Sequence, residues 1–148
     1  MELLIKPVSD KIGNEIPLPY YATDGAAALD LHACTDGDTV LLPHERVFIP
    51  TGIAAAIPDG YVGIMAVRSS MGAKNGINLA NGIGVIDSDF RGQLHVTLYN
   101  TTETPYTVRS GDRIAQLMIV PVAHPTIKVV DELPQTERGE GGFGSTGR

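Results

Sequence analysis

Short apolar runs that each end at a turn signal are the feature of this sequence that most constrains its fold. The clearest runs are Thr39–Leu42, Arg46–Ile49, Ile53–Ile57, Tyr61–Val67, Leu94–Tyr99 and Ile114–Val122. Turns rich in Gly, Pro and Asp, such as Pro58-Asp59-Gly60, separate them, and the fifth run alternates apolar with polar residues. Runs of this length and spacing predict an all-β sandwich or barrel. Only one short window, Ser69–Lys74, favours helix.

Length and charge narrow the classes of function. A chain of 148 residues predicts one domain with one core. A formal net charge of −6 and the absence of Trp disfavour nucleic acid as a partner, because phosphates would be repelled and few aromatic rings are available for stacking. A small anionic ligand held by a few local cations remains compatible with this balance.

The same sequence predicts a cytoplasmic protein with no membrane partner. No apolar stretch approaches the roughly 18 residues that a membrane span requires, and the acidic second residue with a short apolar run is not typical of a signal peptide. The single cysteine, Cys34, excludes an intrachain disulfide and suits a reducing compartment. His32 and Cys34 form no second pair with which to complete a zinc site.

The composition changes near the end of the chain. We therefore expect a β domain over residues 1–133 and a flexible tail over residues 134–148, where glycine is abundant. The tail is either a disordered end or a lid that closes over a ligand. Glycines allow backbone N–H groups to approach phosphates, and Phe143 offers a flat face to a base. Composition alone leaves both interpretations open.

Three places in the sequence are candidates for chemistry. Asp87 and Asp89 in the Asn81–Gly92 segment are either solvated turn residues or include a general base. Arg68-Ser69-Ser70, which follows an apolar strand, is either an ordinary helix cap or a phosphate site. Asp30 lies within an apolar run, so it either faces solvent or serves a cation or hydrogen-bond network, and Gln116 poses the same question.

Five segments in order resemble the five motifs of the homotrimeric deoxyuridine triphosphatases (dUTPases, or dUTP diphosphatases). They are Ala27–Ala33, Arg68–Ile77, Asn81–Gly92, Gly111–Leu117 and Arg138–Gly147. The ordered set is far more specific than any one segment. The resemblance implies a jelly-roll-like β fold and a homotrimer with shared active sites. It also implies Mg²⁺-assisted hydrolysis of dUTP to dUMP and diphosphate, which lowers dUTP and supplies dUMP for thymidylate synthesis.

The resemblance also assigns roles to the third segment and the strand that follows it. Asp87 is implied to be the catalytic base that activates the water attacking the α-phosphorus, and to contact the sugar 3′-OH. Phe90 is implied to pack on the deoxyribose, leaving no space for a ribose 2′-OH. A cytosine edge would leave polar groups unpaired in the base site. The residues implied to recognise uracil are Asn81, Val85 and Ile86 (through their backbone) and His95.

The remaining implied roles concern phosphates, metal and tail. Asp30 is implied to act on Mg²⁺ through its water shell, since Mg²⁺ commonly keeps several waters. The tail would close over the nucleotide, with Phe143 stacking on uracil and Arg138 neutralising γ-phosphate charge. Gly144 and Ser145 would contact the substrate from the same segment. The residues implied to hold the phosphate chain are Arg68, Ser69, Ser70 and Gln116.

Two positions depart from the family pattern, and one of them also resembles a related enzyme family. Position 70 is Ser where the family usually has Gly, and position 90 is Phe where Tyr is usual. The dCTP deaminases share the fold and an Arg-Ser-Ser motif, but they require a catalytic Glu where this chain has Arg91. A non-catalytic nucleotide-binding β module is a third alternative, disfavoured by Asp87, Asp30 and the complete tail motif.

Overall fold

The computed structural model describes residues 1–142 and is built almost wholly from antiparallel β-strands. The strands are β1 (Leu4–Pro7), β2 (Leu29–His32), β3 (Thr39–Leu41), β4 (Arg46–Ala56), β5 (Tyr61–Val67), β6 (Ile77–Leu79), β7 (Gly84–Ile86), β8 (Gln93–Asn100), β9 (Tyr106–Val108) and β10 (Arg113–Pro121). They form two four-stranded sheets, in the orders β1-β4-β8-β6 and β2-β10-β5-β7, and a small β3-β9 ribbon. The predicted all-β, jelly-roll-like fold is confirmed.

The core lies between the two large sheets. In β8, Leu94, Val96 and Leu98 are buried while the residues between them are half-exposed, as the alternation predicts. Leu31 and Leu117 contribute from the second sheet to the same apolar cluster. The predicted helical window is a single π-helical turn over Ser70–Lys74. It follows β5 and is too short to form a layer of its own.

A bulge joins two runs that the sequence pattern had separated. Arg46–Ile49 and Ile53–Ile57 belong mainly to one long strand, β4, whose pairing with β8 shifts register between Pro50 and Ala54. Gly52 lies inside this irregularity with a φ of +70°, a conformation that glycine adopts without steric cost. A Cβ on Gly52 would lie 2.6 Å from Cys34 Sγ. The bulge therefore needs glycine for two separate reasons.

We expect Gly52→Ala to lower the free energy of unfolding by about 2–4 kcal/mol, combining left-handed strain with overpacking. Gly60→Ala is the matched control, because Gly60 has a similar φ of +78° but nothing within 4 Å of its Cβ position. Gly60→Ala should lose only the free energy of unfolding that left-handed backbone strain costs. Chemical denaturation of both variants measures the difference, and equal losses would contradict the role assigned to the Cys34 contact.

The chain leaves the sheets at Pro121. Residues 122–142 form no strand, and nearly all of them are exposed, although the sequence places the domain boundary at residue 133. Ile127 and Val129 are 90% and 93% exposed within this segment. Among the described residues, no helix is long and apolar enough to span a bilayer.

Candidate active site

Strand pairing surrounds Asp30 with cationic and amide groups. Asp30 lies on β2, opposite Gln116 of β10, and only 3% of the residue is exposed. Arg113 Nη1 donates a hydrogen bond to Asp30 Oδ2 at 3.2 Å, and Gln116 Nε2 donates to Oδ1 at 3.4 Å. Arg68 Nε lies 3.2 Å from Oδ1. Asp30, His32, Arg68, Arg113 and Gln116 are called the Asp30 cluster below.

Arg68 is held at the end of β5 with part of its hydrogen-bonding capacity unused. Its Nε is buried and, among the described residues, has no geometrically good hydrogen bond. A cavity of about 250 Å³ next to it is lined in part by Arg68, Ser70 and Arg113. Asp112 also lines it, and its Oδ2 accepts a hydrogen bond from Arg109 N at 2.8 Å. The backbone of the π-helical turn begins with Met71 N and Gly72 N donating to Arg68 O. Two arginines and a serine around a small cavity suit an anionic group.

The Ser69 side chain is also free of a capping role. Ser69 lies at the start of the π-helical turn in right-handed helical conformation, and its hydroxyl makes no capping hydrogen bond. A single π-helical turn is a local irregularity that often occurs at functional sites. The exposed Ser69 hydroxyl and the half-buried Ser70 therefore lie beside Arg68 with donors available for a ligand.

The environment of His32 in the cluster favours its neutral form. Burial lowers the pKa of His32; Asp30 opposes this shift, whereas Arg113 and Arg68 add to it. A neutral imidazole next to two arginines avoids a third positive charge on one buried carboxylate. With His32 neutral, the two guanidinium groups outweigh the one carboxylate of Asp30, so the cluster keeps an excess of positive charge that suits an anion.

Sequence reasoning missed Arg113 and His32 as members of this group. The position of Asp30 could have indicated a partner such as Arg113, because a carboxylate that is buried inside an apolar run needs a cation. The pairing of Arg113 with His32 across β10 and β2 places both at the same end of the ladder. The network interpretation of Asp30 and Gln116 is the one that the structure supports.

Asp87 lies in a different part of the molecule. It directly follows β7, is exposed, and lines a cavity of about 600 Å³ together with Asp59, Val85 and Asp89. Val85 is 58% exposed and points to the same side of the strand as Asp87, because the two are two residues apart. Ile86 is half-buried and Asn81 is exposed in the turn before β7. The carboxylate of Asp87 is therefore accessible to a ligand.

Hydrogen bonds give the loop after β7 a defined backbone. Phe90 N donates to Asp87 O at 3.2 Å. Arg91 Nη1 donates to Ser88 O at 2.6 Å and to Phe90 O at 2.8 Å. The Arg91 guanidinium thus fastens two carbonyls of its own loop, and Phe90 remains 43% exposed.

The Asp30 cluster and Asp87 are far apart within one chain. Ile86 pairs with Gly63 in the antiparallel β5–β7 ladder, which brings Asp87 level with Val62. Arg68 lies six positions further along the chain from Val62. At about 3.3 Å per residue, this corresponds to roughly 20 Å. A general base must lie within hydrogen-bond reach of the water that it activates, so one chain does not bring the two groups to one reacting atom.

His95, which is expected to take part in uracil recognition, lies on the strand that follows the Asp87 loop. His95 lies on β8 in the other sheet and stacks on Phe48, with ring centroids 4.3 Å apart and an interplanar angle of 12°. Its Nε2 lies 3.1 Å from Gln93 Nε2, and its Nδ1 lies 3.0 Å from Gln93 O. Both ring nitrogens are occupied because the strand alternation turns this side chain outward beside Gln93.

Only the first part of the tail motif lies within the described residues. Arg138 is exposed, and its Nε donates to Gly141 O at 2.7 Å within a local turn. The expected contacts of Phe143, Gly144 and Ser145 concern positions outside residues 1–142.

The oxygen ligands that Mg²⁺ prefers are not clustered among the described residues. Within residues 1–142, no group of three or more His, Cys, Asp or Glu side chains could hold a metal ion directly. The Asp30 side chain is 4% exposed and already contacts Arg68 and Arg113. Mg²⁺ keeps several waters and takes oxygen ligands from phosphates as readily as from carboxylates. These residues fit a magnesium ion carried by a phosphate-bearing ligand and contacted through water.

The fold and the site together define a class of protein. It is an all-β, jelly-roll-like domain whose arginines, which suit an anion, lie far from a loop that carries an accessible carboxylate. A family model described as dUTPase matches residues 14–147. The deoxyuridine 5'-triphosphate nucleotidohydrolase of Actinobacillus pleuropneumoniae serotype 3 (strain JL03) is 49% identical over 145 residues, 97% of this chain and 96% of that protein. The protein with the same description from Tolumonas auensis is 49% identical over 148 residues, 99% and 98% of the two chains.

Solved structures agree with these relatives. A Staphylococcus bacteriophage 80alpha dUTPase with dUPNHPP has a TM-score of 0.89 and 30% identity, with 99% of each chain covered. The chain belongs to the dUTPase family. It is an enzyme of the dUTP diphosphatase class.

Proposed function

We propose that the chain hydrolyses dUTP to dUMP and diphosphate in a site shared between copies of the chain, with Mg²⁺ as the metal. The separation of roughly 20 Å between Asp87 and Arg68, from strand register at about 3.3 Å per residue, carries the shared-site part of the proposal. The reaction would lower dUTP in the cytoplasm and release dUMP, from which thymidylate can be made. Family membership supports the substrate.

Asp87 acts as the general base. Its exposed carboxylate accepts a proton from a water, and that water attacks the α-phosphorus as the bond to the diphosphate breaks. On the other copy, the Arg68 guanidinium and the Ser69 and Ser70 hydroxyls hold the phosphate chain. Gln116 holds Asp30 and, through it, the orientation of Arg68. The leaving diphosphate remains beside these donors, which offset its developing negative charge.

The Asp87 loop also carries the proposed nucleoside contacts. Backbone groups of Val85 and Ile86, with the Asn81 amide, would hydrogen-bond uracil, and the exposed Phe90 ring would pack on the deoxyribose. His95, on the strand that follows the loop, would be the remaining uracil contact; its ring nitrogens lie against Gln93 in this structure. A sugar with a 2′-OH would meet the ring at the position that a deoxyribose leaves empty.

Magnesium, when bound, supplies positive charge that neutralises phosphate oxygens. Asp30 would contact it through water, while Arg68 and Arg113 keep the Asp30 carboxylate in place. The tail would close over the bound nucleotide from outside the sheets. Arg138 is free to reach the γ-phosphate, since its present partner is only a carbonyl three residues away.

Product analysis separates this proposal from its alternatives. The protein is incubated with dUTP or dCTP and Mg²⁺, and the nucleotide products and diphosphate are identified by chromatography. We expect dUMP and diphosphate from dUTP, and neither dUTP nor dUMP from dCTP. Arg91 donates to two carbonyls where a deaminase needs a base, so it provides no proton acceptor. Deamination of dCTP, or binding without any product, would overturn the proposal.

We expect deletion of residues 138–148 to leave a folded protein that turns dUTP over about 10²-fold more slowly, because the phosphates lose their positioning partners. The described part of this segment is largely exposed, with only local hydrogen bonds. Phe143→Ala is the milder variant and should lose about 1–3 kcal/mol of base stacking while keeping phosphate contacts. Melting temperature without ligand and turnover are measured for both. A truncation that melts far earlier would make the tail a structural strap.

A further inference from the structure

The aromatic ring of Phe90 rests on Gly92, two residues further along the chain. A Cβ built on Gly92 would lie 2.5 Å from Phe90 Cζ, 3.0 Å from Cε2 and 3.4 Å from Cε1. These three atoms form the outer end of the ring. The ring is therefore folded back over its own loop, with that end placed where any larger residue would put its first side-chain carbon.

Backbone conformation does not explain a glycine at this position. Seven glycines among the described residues have positive φ, and Gly92 is not one of them. The loop around it is already held by Phe90 N donating to Asp87 O and by the two hydrogen bonds from Arg91. The three atoms nearest to a Cβ on Gly92 all belong to the Phe90 ring, so this contact is what distinguishes the position.

We propose that Gly92 is a positioning residue: by lacking a side chain it seats the Phe90 ring, and the seated ring sets the discrimination between 2′-deoxyribonucleotide and ribonucleotide substrates. This inference rests on the proposed function, in which Phe90 packs on the sugar. Gly92 itself touches no reacting atom, and it acts through the position of the ring.

An alanine at position 92 displaces the ring and leaves the fold intact. Ordinary carbon contacts lie at about 3.5–4.0 Å, so a separation of 2.5 Å forces the outer end of the ring to move by about 1 Å or more. The ring can move cheaply because Phe90 is 43% exposed. The displaced ring no longer occupies the space beside the sugar, so a 2′-OH meets less resistance and a deoxyribose loses packing.

The experiment compares the parent chain with Gly92→Ala, Phe90→Ala and the double variant. For each protein, kcat and KM are measured with dUTP and with UTP, and the affinities for non-hydrolysable analogues of both are measured by calorimetry. Gly37→Ala is the control, because Gly37 has nothing within 4 Å of its Cβ position and no positive φ. Melting temperatures of all variants report the fold.

We expect Gly92→Ala to lower the dUTP-to-UTP ratio of kcat/KM roughly tenfold, mainly through KM and analogue affinity, with little change in melting temperature. In the Phe90→Ala background the same substitution should change the ratio by less than about twofold, because the residue it acts through is gone. The inference is overturned if Gly92→Ala leaves the dUTP-to-UTP ratio of kcat/KM unchanged. It is also overturned if Gly92→Ala lowers that ratio as strongly in the Phe90→Ala background as in the parent chain. A parent chain that does not hydrolyse dUTP overturns the proposed function instead.

Discussion

Replacement of Asp87 by Asn is expected to slow dUTP hydrolysis by about 10²–10⁴-fold, the range typical for loss of a general base. The amide keeps the size of the side chain and its ability to hydrogen-bond the sugar. It does not accept the proton of the attacking water at neutral pH. The decrease should therefore appear in kcat, while affinity for a non-hydrolysable dUTP analogue stays within a few-fold of the parent value.

Asp59→Asn is the matched control for this experiment. Asp59 is an exposed carboxylate that lines the same cavity as Asp87, and it carries the same charge. If local charge alone matters, the two variants lose activity equally. If Asp87 is the base, Asp59→Asn stays within a few-fold of the parent chain. A fully active Asp87→Asn protein would remove Asp87 from this role.

The second large effect is expected from mixing two inactive variants. Arg68→Gln keeps a donor for Asp30 but removes the positive charge offered to phosphates, and Asp87→Asn lacks the base. If Arg68 and Asp87 of one site come from different chains, randomly mixed assemblies regenerate about one intact site in four. Activity should therefore rise from near zero to about a quarter of the parent value per chain. The variants are co-refolded in equal amounts, and turnover is then measured.

The control uses the double variant Asp87→Asn/Arg68→Gln mixed with Asp87→Asn. No chain in this mixture has an intact base, so activity stays near zero however the chains assemble. Sedimentation must also give a mass above the 15.7 kDa of one chain, and three times that value is expected. Mixtures of the single variants that remain inactive despite forming hybrid assemblies would show that each chain carries its own complete site.

Local pattern was enough to predict β3, β4, β5, β8 and β10, which are five of the ten strands. Side chains in a strand alternate between faces, so Leu94, Val96 and Leu98 mark a buried face whatever lies elsewhere in the chain. Turn residues act just as locally, because Gly and Pro restrict or release the backbone at their own positions. The resemblance of five ordered segments added the family, since their residue types and order are directly visible in the chain.

The environment of each site residue depended on pairing between distant segments. Asp30 and Arg113 are 83 positions apart, and only the β2–β10 register brings them to 3.2 Å. A periodicity in one segment carries no information about which strand lies beside it, so solvent and network were equally open for Asp30. The same pairing places Asp87 and Arg68 roughly 20 Å apart at about 3.3 Å per residue. That separation arises because a strand is stiff and extended, and its two ends cannot reach one substrate atom.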